Sequence, residues 1–141
     1  MSKPYRFIDI REGRATVVDR ATGAVIGQVE YREKSYNLRR HFVARWWNAI
    51  TPEGRKIADP GTRGDAAHML LVHSKFSPAV RLIREAAARI AHTDHINFDA
   101  ARLAARSLVE EAIALGADFK LTDEALTVGE LYGWCKAQET P

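Results

Sequence analysis

The residues whose types and spacing could do chemistry in this chain are basic and aromatic, and they cluster before residue 50. Four cations and a tyrosine follow one another closely: Arg32, Lys34, Tyr36, Arg39 and Arg40. Cations meet phosphate oxygens and aromatic rings stack on bases or sugars, so this segment is suited to a nucleic-acid backbone. We expect it to form a long basic loop from Arg32 to Arg40. The alternative is a solvated loop without a partner.

The next segment, His41 to Thr51, is predicted to be a strand with two different faces. Because side chains alternate along a strand, one face carries Val43, Arg45, Trp47 and Ala49, and the other carries Phe42, Ala44, Trp46 and Asn48. We expect a helix to cover the Trp47 face, which leaves Trp46 for solvent or a partner. Arg45 and Trp46 join the candidate contact residues by their position on this strand. The alternative is that Trp46 packs on the C-terminal helices.

Patterns typical of catalysis or metal binding do not accompany these residues. In His92-Thr93-Asp94-His95 two histidines lie beside a carboxylate, but nothing completes a tetrahedral zinc site. Motifs for a nucleophilic serine, a zinc protease and a phosphate-binding loop are absent from the sequence. The single cysteine, Cys135, excludes an intrachain disulfide and is predicted to be a buried, inert thiol. We therefore predict a protein that is not an enzyme, with no catalytic residues, no metal and no cofactor.

Charge divides the chain into two parts. Residues 1–77 hold 14 Lys and Arg against 8 Asp and Glu, whereas residues 78–141 hold 7 against 10. Eight of the twelve aromatic residues also lie in the first part. We predict a basic sheet-plus-helix module over residues 1–77 and an acidic helical region over residues 78–141. A single fold with an ordinary charge dipole is the alternative.

Composition excludes several classes of protein. Of the 141 residues, 46% are hydrophobic and 28% charged, which is ordinary for a soluble domain. No apolar run approaches the ~18 residues of a membrane span. The first residues also lack the apolar run of a signal peptide. A cytoplasmic protein without membrane contact is expected.

The elements that must position the basic segment begin with strands. Arg14–Asp19 and Ala24–Tyr31 are rich in Val, Ile and Thr, and the link between them ends in Gly23, which can supply the positive φ of a hairpin. With His41–Thr51 they make a three-stranded antiparallel sheet. The segment Tyr5–Ile10 alternates too weakly to be assigned.

Helices follow the strands. Capping residues indicate four helix starts: Thr62, Ser77-Pro78, the Asn97–Asp99 region, and Thr127 with Glu130. Gly116 is expected to end the third helix. That helix is expected to be lined by Leu103, Leu108, Ala112, Ile113 and Leu115. The predicted fold is α+β, with a small antiparallel three-stranded sheet packed on a helix and then a helical bundle of about three helices.

Four short motifs in the first half resemble a known module. They are Gly23-Ala24-Val25-Ile26-Gly27, Trp47-Asn48-Ala49, Pro52-Glu53-Gly54-Arg55 and Thr62-Arg63-Gly64-Asp65-Ala66-Ala67. Through them, about residues 14–73 resemble the integrase-arm or AP2-like domain, a three-stranded antiparallel sheet packed on one helix. Similar segments occur in short actinobacterial and phage proteins. In that family the sheet enters the DNA major groove, and exposed arginine and aromatic residues make the contacts.

The resemblance implies a small DNA-binding accessory or regulatory protein of phage or mobile-element type. Its predicted contacts with double-stranded DNA are Arg32, Lys34, Tyr36, Arg39, Arg40, Arg45 and Trp46. The alternative is a non-catalytic protein-interaction module that binds a host or partner protein. In that case Trp46 and the alanine-rich C-terminal helices would form the surface, and those helices could also mediate a homo-oligomer.

Overall fold

Strands come first along the chain and helices follow, which confirms the predicted α+β class. The computed structural model describes residues 2–37, 39–93 and 97–139. Within them the strands are Tyr5–Arg11 (β1), Arg14–Asp19 (β2), Val25–Asn37 (β3), His41–Ile50 (β4) and Lys56–Ala58 (β5), and the helices are Arg63–Ser74 (α1), Pro78–Ala91 (α2), Phe98–Ala114 (α3) and Val128–Glu139 (α4). The chain divides into two units, residues 1–74 and residues 75–141.

The N-terminal unit contains one antiparallel sheet in which β1 to β5 pair in sequence order. The predicted number of three strands is wrong, because the described residues form five. β1 was not assigned from the sequence because the strand is irregular. Its register shifts between Ile8 and Arg11, and Asp9 has a φ of 48°. Such an irregularity destroys the period-two pattern on which strand prediction depends. β5 has three residues, too few to show any period.

The tight link between β2 and β3 has the predicted hairpin geometry. Gly23 has a φ of 76°, and its N–H donates to the Asp19 carbonyl oxygen at 2.8 Å. The Asp19 N–H in turn donates to the Ala24 carbonyl oxygen at 2.9 Å. Only glycine adopts this backbone conformation without a steric penalty, so the turn is encoded locally.

The basic segment that follows is not a loop. β3 continues to Asn37, and it pairs with β4 without interruption from Gln28 opposite Ile50 to Asn37 opposite His41. The predicted loop from Arg32 to Arg40 is therefore wrong over most of its length. Charged residues are poor strand formers by themselves, but here cross-strand partners on β4 stabilise the extended backbone. Leu38, in the predicted loop, lies outside the described residues.

Helix α1 builds the core of the N-terminal unit by packing on one face of the sheet. Thr62 caps it as predicted, since its hydroxyl accepts a hydrogen bond from the Asp65 N–H at 3.1 Å. The buried cluster is formed by Tyr5, Ala15, Val17, Ile26, Val29, Ala49, Ala66, Ala67, Leu70 and Leu71. Trp47 is half-buried and packs against this cluster. The prediction that Trp47 and Ala49 face the helix is confirmed.

In the C-terminal unit, α2 and α3 pack closely through small side chains. Ala86 and Ala87 on α2 and Ala105 and Ala112 on α3 are fully buried. Small residues let two helix backbones approach, which is the pairing that the alanine-rich sequence favours. The predicted lining of α3 is partly wrong: Leu103 is 71% exposed and Leu115 58%, and Ile113 is also exposed. The helix turns its alanine stripe inward, so Leu103 and Ile113 lie away from that stripe, and Leu115 lies just beyond the last residue of the helix.

The start of α2, the end of α3 and the start of α4 follow their predicted capping residues. The Ser77 hydroxyl accepts from the Val80 N–H at 3.4 Å, and Gly116 has a φ of 104° just after α3. At the start of α4 the Thr127 hydroxyl accepts from the Glu130 N–H at 3.1 Å. Among the described residues, none of the helices has both the length and the apolarity that a membrane crossing requires.

Candidate nucleic-acid interface

Among the described residues, the two strands in the outer part of the β3–β4 hairpin pair only with each other. β2 pairs with β3 as far as Glu30, and β5 pairs with β4 at Ala49 and Ile50. Beyond these points residues 32–37 pair only with residues 41–46, and we call this two-stranded segment the ribbon. Six residues of strand extend roughly 20 Å. The ribbon therefore offers two faces and a tip to other molecules.

Cross-strand pairing decides which candidate residues share a face. Residues directly opposite each other project to the same side, so the Trp46 face carries Arg32, Lys34, Tyr36, Phe42, Ala44 and Trp46. The Trp47 face carries Glu33, Ser35, Asn37, His41, Val43 and Arg45. Of the predicted contacts, Arg45 is thus separated from Trp46. Arg39 and Arg40 lie in the turn at the tip.

Two stacked rings occupy the outer end of the Trp46 face. The Tyr36 and Phe42 ring centroids are 4.9 Å apart with an angle of 15° between the planes. The Lys34 ammonium lies 5.2 Å from the centre of the Tyr36 ring, a cation–π distance. Phe42 is 45% exposed and was missed as a candidate by the sequence analysis. Its alternation with Trp46 was visible, but its stacking on Tyr36 depends on the long-range register.

Trp46 lies at the inner end of the same face. Its indole Nε1–H donates to the Asn48 Oδ1 at 2.9 Å, which fixes the ring and satisfies its polar edge. The side chain is half-buried. Trp46 therefore presents an oriented aromatic surface on the face that carries Lys34 and Tyr36.

Ion pairing separates the cations among the predicted contact residues into two groups. The buried Glu30 pairs with Arg32 and, at 3.4 Å, with Arg14, and Glu33 pairs with Arg45 at 3.8 Å. By contrast, Lys34, Arg39 and Arg40 form no ion pair within the part of the chain that the structure describes. Among the predicted contact residues, these three are the cations left available to an external anion.

On the Trp47 side of β3 and β4, contacts join Tyr31, Glu33, Trp47 and Arg45. The Tyr31 hydroxyl donates to the Glu33 Oε2 at 3.0 Å, and the Tyr31 ring packs edge-on against Trp47 at 5.4 Å. Burial, together with the Glu33 carboxylate, raises the pKa of Tyr31 above its ordinary value, while Arg45 opposes that shift. Tyr31 is therefore a neutral donor at physiological pH. The contacts on this face support the pairing of β3 with β4, and Arg45 remains paired with Glu33.

Ligands for a metal do not converge elsewhere in the described residues. No group of three or more His, Cys, Asp or Glu side chains there could hold an ion. Asp94 and His95, which the sequence placed beside His92, lie outside the described residues.

We expect Cys135 to be chemically inert in the folded protein. The thiol is buried, and burial raises its pKa from 9.0 to about 11. At pH 8 this lowers the thiolate fraction by about 100-fold, and only the thiolate attacks a disulfide reagent. Labelling with Ellman's reagent should be at least ~100-fold slower in the native protein than in urea. Equal rates in the two states would contradict the buried placement.

Comparisons of the chain with protein-family models, with curated proteins and with solved structures gave no match. The similarity of residues 14–73 to the integrase-arm or AP2-like domain therefore stays a prediction from the motifs.

Proposed function

We propose that this chain is a small, non-catalytic DNA-binding protein with an accessory or regulatory role, of phage or mobile-element type. The ribbon is the part that contacts double-stranded DNA. One observation carries the proposal: three cations have no carboxylate partner among the described residues. Lys34 lies 5.2 Å from the Tyr36 ring, which stacks on Phe42, and Arg39 and Arg40 lie in the turn at the tip. Exposed cations without a carboxylate partner on a β-hairpin are suited to an anionic partner.

The size of the ribbon suits a groove of duplex DNA. The major groove is about 12 Å wide and about 8.5 Å deep, and it admits a two-stranded ribbon. Paired strands lie about 4.8 Å apart, so the ribbon with its side chains fills that width. Its reach of roughly 20 Å exceeds the groove depth, so one face can meet base edges while the tip meets phosphates.

The contacts divide by chemistry. Lys34, Arg39 and Arg40 neutralise phosphates, which supplies most of the affinity and little sequence preference. Tyr36, Phe42 and Trp46 pack on sugars and base edges. Arg32 and Arg45 contribute less, because each must first exchange its carboxylate partner, Glu30 or Glu33, for a phosphate.

The test is a salt series with a random-sequence duplex. Affinity falls as salt rises, and the slope of log K against log salt is about −0.9 for each neutralised phosphate. We expect the double variant Arg39→Ala, Arg40→Ala to reduce the magnitude of this slope by roughly 2 while thermal stability changes little. A matched variant, Arg6→Ala with Arg11→Ala, removes equal charge from exposed positions on β1 and should change the slope less.

Two outcomes would refute the proposal at different levels. Equal slopes for the two double variants would show that the ribbon tip does not make the contact. Absence of binding by the wild-type protein even at low salt would reject DNA as the partner. The non-catalytic protein-interaction module would then take its place.

A further inference from the structure

The C-terminal unit contains an open groove of about 510 Å³ that the proposed DNA contact does not use. It lies between the start of α2, the residues that follow α3, and α4. Its walls include Pro78, Val80, Leu115, Asp118, Trp134 and Gln138. All of its lining residues belong to the unit formed by residues 75–141.

Among the described residues that line this groove, Asp118 supplies the only formal charge. Its Oδ1 accepts a hydrogen bond from the Trp134 Nε1–H at 3.1 Å. It forms no ion pair with any residue in the described ranges. One carboxylate oxygen is thus committed to the indole, and the negative charge remains without a cationic partner.

Trp134 provides an aromatic wall of defined orientation beside that charge. The Asp118 hydrogen bond holds the indole edge, and the Phe119 ring packs against it edge-on at 6.1 Å. The indole is half-buried, and Pro78, Val80 and Leu115 make the remaining walls largely apolar. The carboxylate lies at the N–H edge of the indole, so a cation that pairs with Asp118 is close enough to contact the indole ring as well.

The backbone around the groove disfavours an anion. Although α2 begins there, Pro78 has no N–H and the Val80 N–H already donates to the Ser77 hydroxyl. The first turn of α2 is therefore poorly equipped to bind an anion. The end of α3 at Leu115 adds partial negative charge, and Asp118 adds a full one.

We infer that this groove binds a basic side chain, arginine or lysine, of a polypeptide partner. The cationic head pairs with Asp118 and lies against Trp134, while the methylene stem packs on the apolar wall. The acidic balance of residues 78–141, 7 cations against 10 acids, attracts such a partner over a longer range. The inference is independent of DNA binding.

The test follows the indole N–H signals of the full-length protein by ¹⁵N–¹H NMR. The chain has three tryptophans and therefore three indole N–H signals. The signal that is missing from the spectrum of the Trp134→Phe variant belongs to Trp134. The probe is the blocked peptide acetyl-Gly-Arg-Gly-amide, and its control carries citrulline, which has the same shape without the charge. We expect saturable shifts of the Trp134 signal with the arginine peptide, and affinity for the citrulline peptide about three- to tenfold lower.

Asp118→Asn is the matched variant, because the asparagine Oδ1 can still accept the indole hydrogen bond. It should reduce affinity for the arginine peptide to that for the citrulline peptide while the spectrum stays dispersed. Equal affinity of wild-type protein for both peptides would overturn the inference, and this comparison decides even if Asp118→Asn does not fold. A Trp134 shift with inorganic phosphate but not with the arginine peptide would also overturn it.

Discussion

Replacing Gly27 with alanine is expected to lower the free energy of unfolding of the N-terminal unit by about 2–5 kcal/mol. Gly27 has a φ of 144°, a conformation that residues with a side chain rarely adopt. A Cβ atom there would overlap the backbone oxygen of Ile50 and lie 2.9 Å from the Leu70 Cδ2. The β3–β4 ladder holds Ile50 in place and Leu70 is buried, so neither neighbour can move aside cheaply.

Gly23→Ala is the control for this effect. Gly23 also has a positive φ, 76°, but no atom lies within 4 Å of an added Cβ. The Gly23→Ala substitution should therefore lower the free energy of unfolding only by the conformational penalty, about 1 kcal/mol. Urea unfolding monitored by circular dichroism measures both variants. Equal losses of unfolding free energy in the two variants would show that the close approach of β3, β4 and α1 at Gly27 does not add to the effect of the substitution.

The adjacent tryptophans are expected to respond to substitution in opposite ways. Trp47→Ala should destabilise the N-terminal unit by about 3 kcal/mol, because Trp47 packs on the core cluster and against the Tyr31 ring. Trp46→Ala should cost about 1 kcal/mol or less, because Trp46 lies outside that cluster. Under the proposed function, Trp46→Ala lowers DNA affinity at constant salt, whereas Trp47→Ala changes affinity only where the unit unfolds.

Thermal unfolding and DNA titration of the two variants measure this pair of effects. Both substitutions remove the same side chain from neighbouring positions of one strand, so each is the control for the other. A larger loss of stability for Trp46→Ala than for Trp47→Ala would reverse the assignment of the two faces of β4. The candidate interface would then move to the face that carries Arg45.

The features that the sequence predicted correctly are those set by a few neighbouring residues. Gly23 closes its hairpin because glycine alone tolerates that φ, and Thr62, Ser77 and Thr127 begin helices because their hydroxyls accept free backbone N–H groups. The faces of β4 were also predictable, since alternation is a property of one strand. None of these features depends on a distant part of the chain.

Long-range pairing decided the rest of the candidate site. Residues 32–37 look like a solvated charge run, and only their register with residues 41–46 makes them a strand and brings Tyr36 onto Phe42. The same pairing places Arg45 on the other face from Trp46. Local composition does not contain this information, because the stabilising contacts join residues that the chain brings together only when the sheet forms.

The charged residues show most clearly which features depend on the sequence alone and which depend on the tertiary structure. The sequence by itself determined that the first half is basic, that its aromatic residues are concentrated there and that the fold is α+β. Only the tertiary structure decided which cations remain available: Glu30 engages Arg14 and Arg32, while Lys34, Arg39 and Arg40 have no carboxylate partner among the described residues. The physical reason is distance, since a carboxylate neutralises the cations that the fold places within about 4 Å of it, whatever their separation along the chain.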